Sequence, residues 1–145
     1  MKGFNFKLEK ILDYKKVVEN YKKGEYGAIK KTLDVEEEKL EAFNSYKVHI
    51  ESEMNKTIAR TNAGNLAMYN RYIDDITGKI REQEQIIDKT KEELQAAKDA
   101  MIVAAQEKKT FEKLREREHE EYLDKMKKTE EKQVDALITY RTSIQ

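Results

Sequence analysis

A stripe of apolar residues in steps of three and four runs through the second half of this chain. It comprises Leu66, Tyr69, Ile73, Ile76, Ile80, Ile87, Leu94, Ala97, Met101, Ala104 and Phe111. Gln83, Thr90 and Lys108 are its only interruptions, which makes 11 apolar residues at 14 positions in a chain that is 38% apolar. Random placement would give about five. Such a stripe is too narrow for a globular core and too long for an ordinary helix, so it predicts a long coiled coil.

A first periodic region begins near Leu8, with Ile11, Leu12, Val18, Tyr21 and Ile29. From Leu33 through Leu40, Phe43 and Ile50 to Met54 the rhythm is again three and four, with Glu36 and Lys47 as polar intruders. Gly24 and Gly27 interrupt the earlier part, where a kink or register break is expected. The turn signal is Thr61-Asn62-Ala63-Gly64-Asn65, in which Gly64 suits a left-handed helix C-terminus and Asn65 an N-cap. The predicted fold is therefore all-α. It is a long antiparallel two-helix coiled-coil hairpin forming a single domain over residues 1–145, with a helix over about 6–59, a turn at about 60–65 and a helix over about 66–142.

At 1.5 Å per residue the two helices would reach roughly 80 and roughly 115 Å. Folding about residue 63 sets Leu8 level with residues near 118, and residues 43–50 opposite roughly 76–83. Beyond about residue 122 the second helix has no partner from the first, yet it carries Leu123, Met126, Val134, Leu137, Ile138 and Tyr140. An unpaired apolar end suggests docking onto another chain.

Composition supports helix over disorder. The chain is 40% charged, but its 29 basic and 29 acidic residues balance, and it contains no proline. An interior proline costs about 3 kcal/mol in a helix, so its absence favours long uninterrupted ones. Zero net charge disfavours a general nucleic-acid binder. The charge is uneven, however: +5 over residues 1–31, −5 over 32–105 and neutral over 106–145. Zero cysteine suits a cytosolic protein, and no apolar run is long enough to span a membrane. The opening MKGFNFKLEK lacks the apolar core of a signal peptide.

No enzyme motif stands out: there is no phosphate-binding glycine loop, nucleophile elbow or HExxH. His49 and His119 are far apart, so a shared metal site is not expected, and no cofactor is implied. Carboxylates alternate with Lys and Arg, as in Glu112, Lys113, Glu116 and Arg117, the pattern of a solvated helix surface. The tyrosines carry more information. Tyr46 and Tyr72 each lie one place before a seam position, where Glu or Lys is usual. Phe43, Tyr46, Ile50, Tyr72 and Ile76 should cluster within a few turns of the loop, and Tyr72, Ile76, Lys79 and Gln83 share one helix face. Tyrosines near a tip either widen the seam or anchor an interface.

The opening Phe4-x-Phe6-x-Leu8-x-x-Ile11-Leu12-x-Tyr14 resembles the start of the FliJ family of flagellar export proteins. So does Tyr69-x-x-Tyr72-Ile73-x-x-Ile76-x-x-x-Ile80 after the turn, and so does Phe111-Glu112-Lys113-Leu114-Arg115-Glu116-Arg117, followed by Tyr122 and residues 131–135. The resemblance covers nearly the whole chain. It implies an antiparallel coiled coil, similar to the central stalk of rotary ATP synthases, in the flagellar type III export apparatus. Its expected partners are a hexameric export ATPase (FliI-like), an export-gate membrane protein (FlhA-like) and export chaperones. Its place would be the cytoplasm, peripherally at the inner face of the cell membrane.

By position, the family's gate contact falls on Phe43, Tyr46, Ile50, Tyr72, Ile76, Lys79 and Gln83. Ile50 replaces an aromatic of the family pattern, Lys79 a small residue and Gln83 a histidine. Asp135-Ala136 replaces the more usual acidic pair. The ATPase contact falls at the open end, on Phe4, Phe6, Leu8 and Ile11 and on Val134, Leu137, Ile138 and Tyr140. The expected function is a non-catalytic stalk and adaptor. The alternatives are a stalk of a virulence-type secretion system and a generic coiled-coil scaffold or chaperone.

Overall fold

In a computed structural model, which describes residues 3–58, 60 and 63–144, the chain forms two helices. Helix α1 spans Glu9–Thr57 and helix α2 spans Ala63–Ile144, so α2 is much the longer. Among the described residues there is no strand, no cis peptide and no residue of positive φ. The helices pair antiparallel, and the chain divides into two units. One joins Met1–Tyr21 to Ile102–Gln145; the other is Lys22–Met101.

The three-and-four rhythm is what the pairing buries. On α2, every position of the stripe from Leu66 to Phe111 is buried or half-buried, the polar Gln83, Thr90 and Lys108 included. On α1 the same rhythm runs without a break from Leu12 to Thr57, through Lys15, Glu19, Lys22, Tyr26 and Ile29. Helix α1 runs through Gly24 and Gly27 without interruption. Apolar spacing misses this stretch of seam because its members at 15, 19 and 22 are charged, while Val17 and Tyr21 point to solvent. Leu12, only 1% exposed, is the best-covered large side chain. Burying a leucine or isoleucine contributes about 1.5–3 kcal/mol, and the narrow seam concentrates that gain at Leu12, Leu33, Ile76 and Ile87.

The helix ends at the turn differ from expectation. Helix α2 already includes Gly64 and Asn65, so neither caps a helix. Thr61 and Asn62 lie outside the described residues. Threonine closes α1 instead: the Thr57 hydroxyl donates to the carbonyl of Glu53 at 2.9 Å, and the Arg60 amide donates to the Thr57 carbonyl at 2.9 Å. The Arg60 bond occupies a carbonyl that the helix end leaves open, and Lys56 in the last turn suits the helix dipole. With α1 ending at 57 and α2 beginning at 63, the reversal is centred near residue 60, not 63. Near the turn the pairing moves with it. Gln83 meets Glu36, one heptad farther from the turn than Phe43, the residue expected opposite it.

Candidate functional site

In the unit Lys22–Met101, the seam carries a polar layer. The Gln83 side-chain amide donates to the Glu36 backbone carbonyl at 2.9 Å and also to the Glu36 carboxylate. This bond holds the Glu36 carboxyl below its ordinary value; partial burial opposes the shift, and Lys39 adds to it. Gln83 thus bonds within the hairpin and is only 5% exposed.

Nearer the turn, Tyr46 of α1 and Tyr72, Asp75, Ile76 and Lys79 of α2 line a shallow depression of about 190 Å³. Tyr46 is 47% exposed and Tyr72 42%, whereas Ile76 is buried beneath them as seam. Phe43 and Ile50 are half-buried and Lys79 is exposed. The surface is therefore two tyrosines and a lysine over an isoleucine floor. Sequence reasoning missed Asp75, because an exposed aspartate on a charged helix carries no distinguishing signal until Tyr46 is set across from it.

The other unit is built around the N-terminal segment. Residues 3–6 are not helical, and Phe6 is 4% exposed. The Phe4 ring meets His119 edge-on at 4.9 Å between centroids, lies 5.6 Å from the Tyr122 ring, and has the Arg115 guanidinium 5.6 Å from its centre. Arg115 also binds Glu9 at 2.8 Å. Farther along, Lys15 pairs with Glu107 and Lys108 with Glu19, each at 2.9 Å. Glu19 is 4% exposed, and its carboxylate raises the Lys108 pKa against the opposing effect of desolvation, with Glu112 helping.

The expected open-end residues fall into three groups. Phe6 belongs to the core and Leu8 is half-buried. Phe4 is half-buried against α2, and Ile11 is exposed. Val134, Leu137, Ile138 and Tyr140 are all exposed, as are all described residues after Met126. They do not share one face. Tyr122, Met126, Thr129, Gln133, Leu137, Tyr140 and Ile144 continue the three-and-four rhythm as an uncharged stripe. Val134 and Ile138 lie more than about a quarter turn away from it. Threonine and glutamine within the stripe hid it from apolar counting. Among the described residues, no group of His, Asp or Glu is placed to hold a metal ion.

A solved structure described as a YscO homologue from Chlamydia trachomatis has the same fold. It matches with a TM-score of 0.62 over 98% of this chain and 97% of that one, at 20% identity. No curated protein matches the sequence closely. The model of the family described as flagellar FliJ protein matches residues 4–143, and the chain accordingly belongs to the flagellar FliJ protein family.

Proposed function

We propose that this FliJ-family chain is a non-catalytic stalk and adaptor of flagellar type III protein export. In this reading it engages the export ATPase ring with its open end and the export gate with the tyrosine-rich surface near the turn, and it assists in handling substrate chaperones. The family match over residues 4–143 carries the reading. Two features support it. The uncharged stripe continues from Thr129 to Ile144 on helix that is exposed throughout. Tyr46 and Tyr72 present exposed aromatic area on a rigid two-helix base, which suits an interface at low entropic cost. Among the described residues no helix is long and apolar enough to cross a membrane.

Activation of an ATPase by such a chain is differential binding. The stalk must favour the assembled, catalytically competent ring over the free subunit, or it shifts nothing. Titrating the purified chain into the cognate export ATPase is expected to raise ATP hydrolysis with a saturable midpoint and to increase the hexamer fraction. An unchanged rate at saturating chain would remove the stalk role. A second reading, the stalk of a virulence-type secretion system, draws on the Chlamydia neighbour, whose 20% identity speaks for fold alone. Flagellar genes beside this one would favour the first reading, and needle genes the second.

A further inference from the structure

The depression near the turn holds a carboxylate with no ion-pair or hydrogen-bond partner for its side chain among the described residues. Asp75 is exposed on α2 and lines the depression with Tyr46, Tyr72, Ile76 and Lys79. Arg71 and Lys79 stand one turn to either side of it, at the i,i+4 spacing where ion pairs form on a plain helix surface. Neither bonds it. What Asp75 shares its surroundings with is aromatic: Tyr46 and Tyr72 are both exposed, and the buried Ile76 forms the floor. At about 190 Å³ the depression has room for one large side chain. Tyrosine rings attract a cation to their faces, and a carboxylate accepts hydrogen bonds from it. A guanidinium satisfies both, since it stacks flat on a ring and forks its N–H donors onto a carboxylate. The wider charge has the same sense, −5 over residues 32–105.

We propose that this depression receives an arginine side chain of the export gate, with Asp75 as the residue that selects it. The guanidinium packs against Tyr46 and Tyr72 and donates to the Asp75 carboxylate. Lys79, on the same rim, repels it, so the lysine tempers the affinity that Asp75 supplies. The inference rests on the gate reading above and names the chemistry of that contact.

The test titrates the purified chain into the cytoplasmic domain of the cognate export gate by calorimetry, at low and at moderate salt. Asp75→Asn is expected to weaken binding roughly five-fold at low salt, and Asp75→Glu to keep most of it. Lys79→Ala should tighten binding. Added salt should weaken the wild type more than Asp75→Asn, because an exposed charge pair is screened. Both positions are exposed, so helical circular dichroism and the thermal midpoint should not move. An alanine scan of the gate domain's exposed arginines should find one whose loss adds nothing to Asp75→Asn. Tighter binding by Asp75→Asn with weaker binding by Lys79→Ala would overturn the inference by making the occupant an acid. Equal affinity for wild type, Asp75→Asn and Lys79→Ala would also overturn it, and weakened binding by Tyr46→Ala/Tyr72→Ala would then leave the gate reading standing. Absence of binding by the wild-type chain would take down the gate reading and this inference with it.

Discussion

Glu19 sits at a seam position where an apolar residue would be expected, and it is tolerable there because Lys108 reaches it from α2 at 2.9 Å. Buried pairs of this kind rarely outperform a hydrophobic pair, but breaking one strands a charge. Lys108→Met is therefore expected to destabilise the chain at neutral pH, whereas Glu19→Leu/Lys108→Leu should recover or exceed wild-type stability in urea titrations. The pH dependence has a definite sign. The Lys108 pKa is raised above its ordinary 10.5, so the pair contributes fully below pH 10.5 and fades as pH climbs through the raised value. The gap between wild type and Lys108→Met should accordingly narrow above pH 10.5. Tyr46 and Tyr72 are the opposite kind of residue, exposed and carrying little stability. Tyr46→Ala/Tyr72→Ala should cost less than about 1 kcal/mol of stability yet weaken binding to the export gate. A collapse of helical circular dichroism would make them seam residues instead.

At the scale of the helices, pattern and propensity agree over most of the chain. From Leu66 to Phe111 the apolar stripe alone traces the buried face of α2, because there nearly every seam residue is apolar. On α1 the seam is equally regular, but Lys15, Glu19 and Lys22 conceal it from hydrophobicity. These side chains reach seam positions because long charged residues can bury their stems and pair at their ends. Gly24 and Gly27 lie in unbroken helix, and a Cβ added to either would meet nothing within 4 Å. Neither has a positive φ. Gly24→Ala and Gly27→Ala should each stabilise the chain by about 0.5–1 kcal/mol, read as a raised thermal midpoint. A drop would mean that these glycines serve a close contact with a partner.

For the whole molecule, the FliJ-family membership and the bare end of α2 lead to one further expectation. Deleting residues 127–145 should leave the unfolding midpoint unchanged, because the described residues there are exposed, while stimulation of the export ATPase is lost. Retained stimulation would place the contact elsewhere. The sequence by itself determined that the chain is two long paired helices with α2 the longer, since a helical hydrophobic period uninterrupted by proline has few other solutions. It also marked out Tyr46 and Tyr72 as off-seam aromatics. Tertiary structure alone decided the register. Moving the reversal from residue 63 to near residue 60 slides the pairings near the turn, and a repeating heptad pattern accepts such a slide almost equally. That slide is what gave Gln83 to Glu36 and left Tyr46 beside Asp75. Tertiary structure also separated the N-terminal aromatics. Phe4 and Phe6 look alike in sequence, but packing against α2 buries Phe6 and leaves Phe4 half-buried.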